Sequence, residues 1–246
     1  MDAFDELWPG GPRFAQQDGS FRLSTDSVLL ADFTRLKKGA RVLDLGCGAG
    51  VLPVLLAARE ETASITGVEI QPEAAALARR NLAENGFDGR CAVLDGDLRE
   101  LRTLVPAESF DLVVSNPPYF AAGTGYSAPA ASRATAREEK SCTLPDLCAA
   151  AKWALRWGGS FFLVHRPERL SELFCALTAA GIEPKRLREI VAAPGRAPSL
   201  VLVEGRRGSG KGLAIEAPLV LTDSAGADSA EVQKIYRRGP YAPRKG

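Results

Sequence analysis

The chain has 246 residues, 46% of them apolar and 25% charged, which suits one large globular domain with a substantial core and excludes a disordered or fibrous chain. A formal net charge of +1 excludes a body that attracts nucleic acid through its overall charge, so any RNA contact must come from a local patch. Five cysteines without a C-x-x-C pair, and a single histidine, argue against a disulfide framework and against a metal site. A reducing cytoplasm is the expected compartment; no signal-peptide pattern opens the chain and no apolar run reaches membrane-span length.

Residues 1–19 hold Trp8-Pro9-Gly10-Gly11-Pro12, a turn-rich stretch expected to be loosely structured or laid across the surface. A short helix over 28–33 follows, with Thr25 or Asp26 as its cap; these polar groups stand just before the next motif and so beside any ligand bound there. Residues 41–50 then read as a buried strand ending in Asp44 and running into a turn with Gly46, Gly48 and Gly50, followed by a helix to residue 59. Glycines there allow positive φ and let a ligand approach the main chain. The spacing Asp-x-Gly-x-Gly-x-Gly departs from the dinucleotide fingerprint, and an acid at the strand end disfavours a pyrophosphate. A cationic or amino-bearing ligand such as S-adenosylmethionine (SAM) is favoured instead.

A second strand over 63–70 carries Glu69, placed to accept both hydroxyls of a ribose when the first two strands lie side by side. Pro72 starts a helix that stops at Asn85-Gly86. A third strand over 90–94 is followed by Asp95 and Asp97; of the two, Asp97 is the expected acceptor for an adenine amino group, a plain turn acid being the alternative.

The fourth strand, 109–115, delivers Asn116-Pro117-Pro118-Tyr119 to the same sheet edge. Two prolines fix two φ angles and hold Asn116 extended, so an amide oxygen and the Pro117 carbonyl are presented stiffly. An amine conjugated to a π system has its lone pair delocalised. Accepting its two protons at Asn116 Oδ1 and the Pro117 carbonyl biases that lone pair toward a methyl donor, by orientation and electrostatics rather than by general-base catalysis. Tyr119 offers a face on which a planar substrate stacks.

Residues 120–145 form a loop of functional length, with Arg133, Arg137 and Lys140 facing either phosphates or solvent. A helix over 145–157 stops at Gly158-Gly159, and a fifth strand over 160–165 holds His165, given no chemistry. A helix over 167–180 and two strands, 185–193 and 199–204, follow. Residues 205–212 nearly match a phosphate-binding loop but lack the metal-binding hydroxyl and a following helix, so a basic hairpin loop is expected. Residues 222–230 read as a polar linker into a basic tail.

Asp-x-Gly-x-Gly-x-Gly, an acid after the second strand and Asn-Pro-Pro-Tyr after the fourth together resemble the class I SAM-dependent amino-methyltransferases, over roughly residues 20–165. The finer pattern, Phe21–Asp26, Asn116–Phe120 and Ala136-Arg137-Glu138, resembles the bacterial tRNA (adenine-N6)-methyltransferase family, although many of its members have a histidine where Glu138 stands. The resemblance implies a Rossmann-like α/β fold: a seven-stranded, mostly parallel sheet, last strand antiparallel, with helices on both faces. It also implies SAM held by Thr25, Asp44, Gly46, Gly48, Gly50, Glu69, Asp97 and Asn116, and a target base held by Asn116, Pro117 and Tyr119. Residues 1–35 would flank the cofactor, 36–221 form the methyltransferase domain and 222–246 the tail. The expected partner is tRNA or another structured RNA, with neither membrane nor metal, for a monomer in the cytoplasm. The motif equally serves guanine-N2 methylation of ribosomal RNA and N5 methylation of a protein glutamine, and a non-catalytic SAM- or RNA-binding module is the third alternative.

Overall fold

The computed structural model describes residues 4–15, 24–117 and 142–237. A two-stranded antiparallel hairpin comes first, β1 (Phe4–Glu6) and β2 (Arg13–Ala15), followed by α1 (Thr25–Phe33). Then come β3 (Arg41–Leu45), α2 (Val51–Arg59), β4 (Ser64–Glu69), α3 (Pro72–Glu84) and β5 (Cys91–Asp95). A 3-10 turn at Leu98–Glu100 and the short α4 (Leu101–Leu104) lead to β6 (Phe110–Ser115). Beyond the 118–141 segment lie α5 (Leu144–Ala154), β7 (Leu155–His165), α6 (Leu170–Ala179), β8 (Ile182–Val191), β9 (Pro198–Arg207), β10 (Ala214–Ile215), β11 (Leu219–Val220) and α7 (Ala230–Ile235).

The main sheet runs β10-β8-β9-β7-β6-β3-β4-β5, with β11 also on β8. Strands β3 to β7 are parallel, and β9 lies antiparallel between β7 and β8. The seven long strands are the expected set with the expected antiparallel last member. Among the described residues the sheet nevertheless has nine strands, because a late extended segment joins β8 and Pro218 splits it into a two-residue strand on each side. Residues 205–212 are not the expected hairpin loop. Residues 205–207 finish β9, and the chain then crosses the end of β8 to pair β10 on its far side, with Lys185 Nζ donating to the Gly210 carbonyl at 3.1 Å.

Alternation along each strand builds two cores. Val42, Val114, Phe162 and Leu202 face α1, α2, α3 and α7, whereas Leu43, Val113, Phe161 and Val203 face α5 and α6. Each such side chain contributes about 1.5–3 kcal/mol by leaving water. The helix expected over 145–157 ends at Ala154, since Leu155 already pairs with Phe110 while the next partners are Leu112 and Ser160. The intervening residues form a bulge that Gly158 permits with φ +75° and Gly159 by lacking a Cβ, which would meet the Asp111 carbonyl at 2.9 Å. The N-terminal hairpin is fastened to α3: Ala15 N donates to Asn81 Oδ1, and Arg13 N to Asn85 Oδ1, both at 2.8 Å. Residues 230–235, read as part of a tail, fold as α7 and bury Val232 and Tyr236 in the first core. Among the described residues no helix is long and apolar enough to cross a membrane.

Candidate active site

The order of strands reverses between β3 and β6, and a parallel sheet opens a crevice at the carboxyl ends of its strands where that happens. The glycine turn and the described part of the second motif, Asn116-Pro117, lie there. Asp44 pairs in register with Val114, and Ser115 Oγ donates to the Leu45 carbonyl at 2.8 Å, so Asn116 stands level with the start of the glycine turn.

Asp44 is fully buried, and neither carboxylate oxygen has a hydrogen-bond partner among the described residues. Burial, and secondarily the charge of Glu69, push its pKa well above the ordinary carboxylate range. A buried polar group without a partner is costly and suits a cationic ligand that would meet it. The turn that follows is pinned from behind, Gly46 N and Cys47 N donating to the Val68 carbonyl at 2.9 and 3.1 Å. Glu69 pins it from the side: its Oε2 accepts from Gly48 N at 2.8 Å and its Oε1 from Gln71 N at 2.9 Å. Each oxygen retains a second lone pair.

Gly46 and Gly48 have φ of +74° and +53°, and a Cβ on either would meet only open space, so the main chain is exposed to whatever approaches. Gly50 differs. A Cβ there would lie 2.9 Å from the Ala78 Cβ, so this glycine makes room for α3 against α2. Gly67 likewise admits the Cys47 thiol, whose pKa burial raises.

Asp97 caps the 3-10 turn, accepting from Arg99 N at 2.9 Å, and its carboxylate chelates the Arg99 guanidinium, which lowers its pKa. Asp95 pairs with Arg79. Thr25 is the exposed first residue of α1, and the cap is Ser24, whose Oγ accepts from Asp26 N at 3.2 Å. Ser27, one turn in, reaches the site: its Oγ accepts from Asn116 Nδ2 at 3.0 Å. Ile70, directly after Glu69, is 49% exposed, an apolar side chain in water at the ligand edge. The sequence does not single out Ser27; for Ile70 the signal available is an apolar residue directly after a strand-end acid. His165 is buried, its Nδ1 accepts from Arg166 N at 2.9 Å, and burial lowers its pKa. Tyr119, Arg133, Arg137 and Lys140 lie outside the described residues.

Residues 21–174 match the model of the methyltransferase small domain. The chain belongs to that family. A tRNA1(Val) (adenine(37)-N6)-methyltransferase of Porphyromonas gingivalis is 33% identical over 193 residues, 76% of this chain and 75% of that protein. The protein of the same name from Cronobacter sakazakii is 34% identical over 186 residues, 75% of this chain and 74% of its own. Among solved structures, the Agrobacterium tumefaciens protein Atu636, a predicted O-methyltransferase, has a TM-score of 0.73 at 28% identity, over 89% of this chain and 100% of its own. The matched residues take in α1 and its Ser27 as well as the glycine turn and Asn116.

Proposed function

We propose that the chain transfers a methyl group from SAM to the exocyclic amino nitrogen of adenine in tRNA, with adenine 37 of tRNA1(Val), the target named for its relatives, as the substrate. The observation that carries this reading is the placement of a proline-stiffened Asn116 amide level with a glycine turn whose leading acid, Asp44, is buried without a partner.

The residues fit SAM. Asp44 answers its ammonium, the open main chain at Gly46 and Gly48 lets its methionine part approach, and the second lone pairs of Glu69 accept from the ribose hydroxyls. Ile70 covers a face of the adenine ring. Asp97 takes the adenine amino group through a lone pair that Arg99 leaves to it, with Thr25 at the rim and Gly50 setting the shape of the turn from behind. Bound SAM supplies an electrophilic methyl group on a sulfonium. Asn116 Oδ1 and the Pro117 carbonyl would accept the two N–H bonds of the target amine and turn its lone pair toward that methyl; the N–C bond would form as the methyl's bond to sulfur breaks, and the methylated amine would give up one proton to water. The acceptor pair suits an amine with two protons better than a hydroxyl with one. The adenine must leave its stack to reach the site, which a loop base does most cheaply, and Tyr119 is the residue on which it stacks. RNA is the partner, and the cytoplasm the place of action.

The test is transfer of labelled methyl to unmodified tRNA, with ribosomal RNA and release factor in parallel, followed by nucleoside analysis. N6-methyladenosine is expected, and Asn116→Ala is expected to lower turnover by roughly 10²–10³-fold with SAM binding retained. Label in methylguanosine or in protein overturns the substrate, and loss of SAM binding in Asn116→Ala overturns the role of that residue.

A further inference from the structure

A primary amide has two unlike ends, and the reaction proposed above needs only one of them. Oδ1 accepts an N–H from the substrate amine, whereas a reversed amide would set its own N–H donors against donors and leave the amine lone pair undirected. Resonance makes the amide planar but does not choose its orientation. A contact that anchors one end of the amide leaves the other end fixed in place for the amine to meet.

The first contact of the Asn116 amide nitrogen comes from the N-terminal helix, 89 residues away in sequence, where Nδ2 donates to Ser27 Oγ at 3.0 Å. Ser27 is 7% exposed, in a helix whose other buried members are Val28, Leu29, Leu30, Ala31 and Phe33. A hydroxyl buried among such neighbours destabilises unless it is hydrogen-bonded, and Asn116 is the partner it meets. The helix itself is held at both ends. Ser24 caps its start, and the Arg59 guanidinium donates to the carbonyls of Asp32 in its last turn and of Thr34 at its end. Ser115, anchored on the Leu45 carbonyl, fixes the strand end from which Asn116 projects.

We propose that Ser27 is a positioning residue for methyl transfer: by bonding one end of the Asn116 amide it holds the side chain with the other end toward the methyl-accepting amine, and because a hydroxyl can bond either end, the amine's own N–H groups select Oδ1 as the end presented. The inference rests on the tRNA adenine reading, and its experiment separates the two.

The full chain, Ser27→Ala, Asn116→Ala and the double variant are compared with SAM and a transcript of tRNA1(Val), in steady state and in single turnover at high enzyme. Alanine preserves the helix and removes only the hydroxyl. Ser27→Ala is expected to lower kcat by roughly three- to tenfold, with KM for SAM and the melting temperature unchanged. In the Asn116→Ala background the same change is expected to have no further effect on the residual single-turnover rate. The side-chain amide signal of Asn116 in a ¹⁵N–¹H spectrum, assigned by its loss in Asn116→Ala, is expected to move in Ser27→Ala. Unchanged kcat, a loss confined to KM or to melting temperature, or full additivity in the double variant overturns the proposal. A wild-type chain that labels no tRNA removes the tRNA reading; the amide signal then decides by itself whether Ser27 holds Asn116, and an unmoved signal overturns that too.

Discussion

Glu204 on β9 and Asp44 on β3 are both buried carboxylates of the same sheet, and their surroundings are opposite. Glu204, 6% exposed, accepts from the Arg186 guanidinium at 2.8 Å and from Ser160 Oγ at 3.1 Å. Arg186 in turn reaches Glu216 at 2.6 Å and lies 4.1 Å over the Phe33 ring. Asp44 has no such shell among the described residues. A buried charge whose partners are all built in holds the fold; one whose partner is lacking belongs to a site that a ligand completes. The first occupies the interior of a strand two in from the sheet edge, the second the strand end where the chain turns away into the glycine turn.

The comparison breaks most visibly at Glu204. Glu204→Ala leaves the Arg186 guanidinium short of its most buried partner, and the expected loss of folding stability in denaturant titration is about 3–5 kcal/mol, with SAM affinity of the folded protein unchanged. Replacing the pair together, Arg186→Met with Glu204→Leu, is expected to recover most of that loss, since no buried charge is then left alone. Equal losses from the single and double replacements would show that packing, rather than the pairing, holds that region.

How legible these regions were in the sequence follows from the range of the contacts that define them. Asp44, Glu69 and Asn116 could be read because each sits at the end of an apolar strand in a motif a few residues long, and parallel strands bring such ends to one edge. Ser27 could not, because its partner is 89 residues away and a serine near a helix start looks like any other. Gly50 carries the same letter whether it makes room for a ligand or for Ala78, and only coordinates distinguish the two. The beginning of β7 at Leu155 was hidden by a helical apolar period that runs on without a break and by glycines that mark a bulge rather than an end. The Arg186–Glu204–Glu216 cluster joins three separate strands and loops, so no spacing in the sequence announces it.

A smaller effect is expected at the unpaired acid. Asp44→Asn keeps the shape and removes the charge, so the free protein is expected to melt at the same temperature or higher, the reverse of Glu204→Ala. SAM affinity measured by calorimetry is expected to fall by roughly 10- to 100-fold, as a charge-assisted contact to the ammonium becomes a neutral one. A free protein destabilised by this change would show that Asp44 has a structural partner after all.

The smallest and most diagnostic effect is in pH. The folded pKa of Asp44 lies above its unfolded value, so the stability it contributes to the free protein is fully present below the ordinary carboxylate pKa and is lost as pH rises through the raised folded value. An ammonium bound beside it favours the ionised form and pulls that pKa down. Binding in the window between the two values therefore releases a proton, and SAM affinity rises with pH there. The ligand's own α-amino group loses its charge near pH 7.7–8.0, so the measurement belongs at roughly pH 5 to 7, in two buffers of different ionisation enthalpy. The wild-type chain is expected to show buffer-dependent heats that report proton release and an affinity that climbs with pH, while Asp44→Asn is expected to show neither. Equal pH dependence in both proteins would assign the titration to another group and leave Asp44 without its partner in the ligand.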